Sequence, residues 1–309
     1  MAYDVLVVGA GAAGLSAAIY AARKGLKTLV VSVDTGGQMN LTSHIENYPG
    51  LDAISGPELA SKFSEQAGKF GAEMRASKVT KVEKTGDAFE ATLSNGEKIQ
   101  SRSVILAFGQ VAKAMNVPGE EKFLGKGVAT CVTCDGPLYR NKEVAVVGGG
   151  APAAEGALEL ARYAKKVYCV NERQAFSGDA ALVEKIRSLP NAEILTGARP
   201  MEVKGDRFVQ SIVVEQGGAR REIAVQGIFV ELGHIVDTSA VRGLVKINAA
   251  NEVVVDADCA ASVPGVFAAG DCTTSKFKQA VISAGEGAKA GLEAYRFLTG
   301  GKGVAIDWK

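Results

Sequence analysis

The 309 residues carry 35 Lys and Arg against 34 Asp and Glu, for a net charge of +1, and 47% are hydrophobic. That near-neutral balance gives no electrostatic case for a nucleic-acid or membrane-surface partner, and no apolar run reaches the roughly 18 residues of a membrane span. Glycine stands out at 37 of 309, well above the roughly 7% of average usage, and without a collagen period it predicts repeated tight strand-to-helix turns.

The length suggests roughly two domains. The first predicted strand is Tyr3-Asp4-Val5-Leu6-Val7-Val8, followed by Gly9-Ala10-Gly11-Ala12-Ala13-Gly14, an Ala-rich helix stopping at Gly25, and a strand from Thr28 to Val33. Strand, glycine turn, helix and strand in that order are the context a dinucleotide fingerprint requires. The first glycine permits the tight turn, the second lets the backbone approach a pyrophosphate, and the third allows close helix packing. The helix start offers its unpaired N–H groups to the phosphates. Val5 to Val8 has no basic n-region, so it is expected to be a core strand and not part of a signal peptide. Further on, Ala88 to Leu106 reads as a hairpin turning at Asn95-Gly96.

Cys131-Val132-Thr133-Cys134-Asp135 comes next. Two cysteines at this spacing can close as a disulfide and reopen, and an adjacent acid offers a proton to the leaving thiolate. The same pattern could be half of a zinc site. With only His44 and His234 in the chain and no second cysteine or histidine pair at ligand spacing, nothing supplies the other half of a four-ligand zinc site; redox chemistry is favoured and no metal is expected. Asp135 has a competing reading as a loop or N-cap aspartate. The odd, widely spaced remainder, Cys169, Cys259 and Cys272, fits a reducing compartment and a cytoplasmic location. Cys169 lies in an apolar strand and reads as core, while Cys272 follows Asp271 and is weighed as a third redox thiol.

The glycine pattern then recurs. A strand over Glu143 to Val147 leads into Gly148-Gly149-Gly150-Ala151-Pro152-Ala153 and another Ala-rich helix, so Gly9, Gly11 and Gly14 return 139 positions later as Gly148, Gly150 and Ala153. Phe208 to Val230 reads as a second strand-rich hairpin, turning at Gly217-Gly218. Pro264 to Leu298 does not resemble the end of the second repeat, so it must complete the first. The expectation is an α/β fold of two Rossmann-like, three-layer ββα nucleotide-binding domains, the second inserted into the first. Domain one takes 1–113 and 241–309, and the inserted domain 114–240.

Together Gly9 to Gly14, Gly36-Gly37-Gln38, Ile45 to Gly50, Cys131 to Gly136 and Val263 to Asp271 resemble the low-molecular-weight thioredoxin reductases, class II FAD-dependent pyridine nucleotide-disulfide oxidoreductases. Lys278-Gln279 stands where that family has Arg-Gln. The resemblance implies a homodimeric flavoprotein passing electrons to thioredoxin or a thioredoxin-like protein. It implies FAD on Gly9, Gly11, Ala12, Ala13 and Gly14, with Gly36, Gly37, Gln38, Asn47, Gly109, Gly270, Asp271, Lys278 and Gln279 around it. It makes Cys131, Cys134 and Asp135 catalytic, with Cys134 facing the flavin and Cys131 attacking the partner. Since one sulfur geometry cannot serve both, the inserted domain is expected to rotate on hinges near 112–118 and 237–243. The extra N-terminal redox module of larger, peroxiredoxin-reducing relatives is not expected.

The second site, read on Gly148, Gly150, Ala153, Glu172 and Arg173, departs from the family. Where the resemblance implies His-Arg-Arg-x-x-x-Arg for NADPH, this chain reads Asn171-Glu172-Arg173-Gln174-Ala175-Phe176-Ser177. Glu172 opposes a phosphate of charge about −1.5 to −2 and suits a bare ribose diol, so NADH is favoured over NADPH. Ala151-Pro152 and Val236-Asp237 also replace family residues, which resembles the branch that works without NADPH and draws on ferredoxin or another carrier. Two other readings stand beside the reductase: a dithiol oxidase using oxygen, and a non-catalytic flavin redox sensor.

Overall fold

The computed structural model describes residues 2–42, 44–176 and 180–301; Ser177 and Trp308 lie outside them. The chain forms two compact units. It begins with β1 (Tyr3–Val8), α1 (Ala12–Arg23), β2 (Thr28–Ser32), α2 (Gly56–Lys69), β3 (Glu73–Ala76), β4 (Val79–Thr85), β5 (Ala88–Leu93) and β6 (Lys98–Leu106). After β7 (Val111–Ala112) come α3 (Glu120–Phe123), β8 (Val128–Ala129), α4 (Val132–Asp135), β9 (Glu143–Val147), α5 (Ala151–Leu160), β10 (Lys166–Asn171) and α6 (Ala180–Arg187). The order continues with β11 (Ala192–Thr196), β12 (Ala198–Gly205), β13 (Val209–Gln216), β14 (Ala219–Ala224), β15 (Gly227–Val230), β16 (His234–Ile235), β17 (Val266–Ala268) and α7 (Ala280–Leu298).

In the first unit the sheet order is β3-β2-β1-β6-β5-β4, with β17 also paired to β6. β1 runs parallel to β2 and β6, while β4, β5 and β6 form an antiparallel meander. Five of the six residues of β1 are buried, the near-continuous apolar run of a parallel strand covered on both faces. α1 packs on α7 through small residues: Gly287 and Gly291 lie against the Ala13 and Ala17 carbonyls, where a methyl group would not fit. α2 starts on a reciprocal Ser55–Glu58 capping box, which satisfies two of the unpaired N–H groups at a helix start.

The second unit repeats the plan with a parallel sheet, β11-β10-β9-β15-β8, and a separate antiparallel sheet, β12-β13-β14. The two Rossmann-like domains are therefore present. The stretch 208–230 is not one hairpin, however. β13 and β14 do turn at Gly217–Gly218, both with positive φ, but β15 leaves them to pair in parallel with β9. The predicted second strand likewise ends at Ser32, one residue early. Spatially, the second unit takes Ala112–His234 together with Leu41–Asn47, whereas the sequence boundaries sit at 113/114 and 240/241. Among the described residues, no helix is long and apolar enough to cross a membrane.

Candidate active site

β1 passes to α1 through Gly9, whose φ of 109° an L side chain rarely adopts. A Cβ on Gly9 would strike the Ala107 carbonyl, and one on Gly14 would strike the Gly9 carbonyl. Packing of the turn itself therefore fixes both glycines. Gly11 is different. It is the N-cap of α1 with no side-chain cap, and no atom lies within 4 Å of its missing Cβ. Open space at a helix start is where an anion is held. These residues fit FAD, and Gly9, Gly11, Ala12, Ala13 and Gly14 would hold its pyrophosphate.

Remote segments meet beside this turn. Gly36 donates its N–H to the Ala10 carbonyl at 2.8 Å, and Gly37 follows in a 3-10 turn over Gly37–Leu41. The Gln38 amide donates to Asp271 Oδ2 at 3.2 Å and to the Gln110 carbonyl, next to Gly109, at 2.9 Å. Ser283 of α7 donates to Asp271 Oδ1 at 3.1 Å. Gly270 donates its N–H to Glu286 Oε2 at 2.8 Å, and Gln279 is the N-cap of α7. Lys278 bonds the Asp271 and Thr273 carbonyls at 3.2 and 2.5 Å and pairs with Glu252 at 3.1 Å, so its ammonium clamps the Asp271 loop. Asn47 belongs to the segment grouped with the second unit. Cys272 is fully buried, with its thiol on two backbone carbonyls at 3.5 Å. Burial pushes it up to about 12; it stays a thiol, as a core residue does. Burial likewise pushes Cys169 up to about 12 and Cys259 to about 11.

In the second unit, Gly148, Gly149 and Gly150 line a cavity of about 740 Å³ together with Asn171, Glu172, Arg173, Arg199 and Glu231. That is ample for a small-molecule cofactor. Gly150 caps α5 without a side-chain bond, and Ala153 is buried beneath the turn. Pro152 removes one backbone donor from this helix start. Asn171 offers another: its Oδ1 accepts the Arg173 N–H at 3.0 Å, which orients the amide, and its buried Nδ2 has no partner. Leaving such a donor unsatisfied costs roughly 1–3 kcal/mol, so a ligand acceptor fits there. Neither Asn171 nor Arg199 stood out in the sequence.

Cys131 and Cys134 are joined as a disulfide with Cα atoms 5.3 Å apart. Cys131 is the N-cap of α4, its sulfur accepting the Cys134 N–H at 3.2 Å. Asp135 heads the next turn, Gly136–Tyr139, without capping it, so the N-cap reading does not apply. Its Oδ1 instead accepts from the Thr42 hydroxyl at 2.8 Å. Burial raises the Asp135 carboxyl above its ordinary value, against the Thr42 bond and nearby His44. A carboxyl that keeps its proton more readily is suited to acid–base work. Asp135→Asn should therefore slow disulfide reduction by about 10²–10⁴-fold; steady-state turnover checks this, and an unchanged rate would return Asp135 to a loop role.

Residues 3–287 match the pyridine nucleotide-disulphide oxidoreductase family. The chain belongs to that family. The chain is 42% identical over 299 residues to an alkyl hydroperoxide reductase component from Staphylococcus epidermidis, covering 96% of this chain and 59% of that protein. It is equally 42% identical over 299 residues to a protein of Bacillus subtilis named NADH dehydrogenase, covering 96% of this chain and 58% of that one. The chain thus spans under two thirds of the length of these curated relatives. Among solved structures, thioredoxin reductase from Streptococcus pyogenes MGAS5005 superposes with a TM-score of 0.93 at 34% identity, covering 96% of this chain and 98% of that one.

Proposed function

We propose that the protein is a thioredoxin-disulfide reductase that draws electrons from NADH and delivers them through Cys131 and Cys134 to a thioredoxin-like protein. The Cys131–Cys134 disulfide on α4, with Asp135 directly after it, carries this reading. Bound FAD supplies the two-electron carrier between nucleotide and disulfide. Once the pair is a dithiol, Cys131 as thiolate attacks the partner's disulfide and forms a mixed disulfide, releasing one partner sulfur. Asp135 gives that sulfur its proton. Cys134 then attacks Cys131, the ring closes, and the second partner sulfur leaves and is protonated in turn. The resemblance to a thioredoxin reductase along nearly the full length of both chains supports the choice of acceptor.

NADH is favoured as donor because Glu172 lines the second cavity, where a 2′-phosphate would meet its charge. The Bacillus subtilis relative named NADH dehydrogenase supports the same choice. The room left at Gly150 and the spare Asn171 donor favour a nucleotide over a carrier protein such as ferredoxin. Anaerobic titration with NADH, NADPH and reduced ferredoxin, followed by addition of oxidised thioredoxin, tests the whole reading. NADH should bleach the flavin and thioredoxin should restore its colour. Bleaching by ferredoxin alone would overturn the donor; oxygen uptake with small dithiols and no thioredoxin turnover would overturn the acceptor. Glu172→Arg should move preference toward NADPH by at least about tenfold, since each charge-assisted contact is worth about 1.5–3 kcal/mol. Wild-type use of NADPH as readily as NADH would contradict this assignment of Glu172.

A further inference from the structure

Glu231 follows directly on β15, and its N–H continues the sheet to the Val147 carbonyl at 2.8 Å. Its half-buried side chain lies near Val132 across Gly156 and lines the second-unit cavity beside Gly148 and Gly149. Val132 is the first residue of α4, bonded to Cys131, and its N–H is one of the donors that a helix start leaves unpaired. Gly156 of α5 makes room for this meeting. A Cβ there would come within 2.9 Å of Val132 Cγ2 and 3.9 Å of Glu231 Cγ. An interior helix glycine is ordinarily a cost; here it admits a carboxylate to the base of the redox turn.

We propose that Glu231 tunes the redox-active turn: set near Val132 at the start of α4 by the space that Gly156 leaves, it brings a charge that opposes thiolate formation on the opened Cys131–Cys134 pair. Burial pushes the Glu231 carboxyl up to about 7, with Glu159 of α5 adding like charge and the Val132 N–H working against both. Glu159 is the charged group facing it from α5, and α4 presents the Val132 N–H. Glu172, Arg173 and Arg199 are the other charged side chains lining the cavity. Glu231 therefore gains its charge as pH rises through neutrality. Opening the disulfide takes two electrons and two protons and gives two thiols. A thiolate forms only when one proton leaves again, and a neighbouring negative charge disfavours that step.

The inference rests on Cys131–Cys134 as the reacting pair but not on any nucleotide or protein acceptor, so its test needs no turnover. The purified flavoprotein is reduced with excess dithiothreitol, which closes to its cyclic disulfide as the protein pair opens. Alkylation by iodoacetamide is then followed without oxygen from pH 5.5 to 9. Glu231→Gln keeps the shape of the side chain and removes the charge. It should alkylate about tenfold faster than wild type at pH 8, the effect of a one-unit shift in thiol ionisation, and equally fast at pH 5.5, where Glu231 is neutral. Superimposable profiles would overturn the proposal. Should the variant fail to fold, the infrared band of the Glu231 carboxyl in the wild type decides. Its titration midpoint should be higher with the pair reduced than with it oxidised, and an unchanged midpoint would overturn the idea.

Discussion

Cys134→Ser and Cys131→Ser should each leave a folded, yellow protein that has lost disulfide reduction by at least about a thousandfold, the scale on which losing a nucleophile acts. The fold has little to lose. The ring spans a sequence separation of three, and the loop-closure contribution of so short a cross-link is small. Cys131 caps α4 with its sulfur, and serine is among the preferred N-cap residues, so the replacement preserves the helix start. Chemistry has everything to lose, because neither variant can close the ring that releases the reduced partner. Flavin absorbance, thermal melting and turnover with oxidised thioredoxin measure the three parts separately. Activity above about a tenth of wild type in either variant would remove the pair from the mechanism.

What the sequence made legible is what local chemistry encodes. Gly9 and Gly14 follow from a turn too tight for any side chain, and the apolar run of β1 follows from burial on both faces. The second fingerprint was legible as a repeat of the first. The acid proposed for the redox pair was legible too, since Asp135 adjoins the two cysteines. Its partner was not: Thr42 lies 93 residues away, and nothing local marks a lone threonine as a ligand of a distant carboxylate. Lys278 stood out through its position beside Gln279, but its partners did not: its ammonium closes on the Asp271 loop and on Glu252, 26 residues back. β15 was read into the preceding hairpin because the apolar run hides which sheet a strand joins; only parallel pairing with β9 decides that. Glu231 did leave a signal, a single acid at the carboxyl end of an apolar strand, the edge along which α/β sheets bind ligands. Asn171 shows the opposite case: an ordinary strand-end residue whose importance comes only from a buried N–H without an acceptor.

Gly11→Asp should give a folded protein that cannot retain FAD. Gly11 sits at φ −79° and ψ −170°, a conformation any residue adopts, and has no neighbour within 4 Å of its Cβ. Aspartate is also a better N-cap than glycine by a few tenths of a kcal/mol, so α1 itself should be slightly more stable. The cost falls on the ligand. A carboxylate at this helix start occupies the place of an anionic pyrophosphate, and like charges 4 Å apart repel by about 4 kcal/mol at an effective dielectric of 20. That is close to a thousandfold in affinity, enough to reduce flavin content on purification from about one per chain to a small fraction. Gly14→Asp is the contrasting variant: its Cβ meets the Gly9 carbonyl, so it should fail to fold rather than fold empty. Gly150→Asp is the internal control. It occupies the equivalent turn of the second unit, where the nearest atom is Pro152 Cδ at 3.6 Å, and should keep its flavin while losing response to NADH. Flavin-to-protein absorbance ratios and circular dichroism of the three variants, with anaerobic NADH titration of Gly150→Asp, are sufficient. A Gly11→Asp protein with full flavin content would mean that the pyrophosphate is not held at the start of α1.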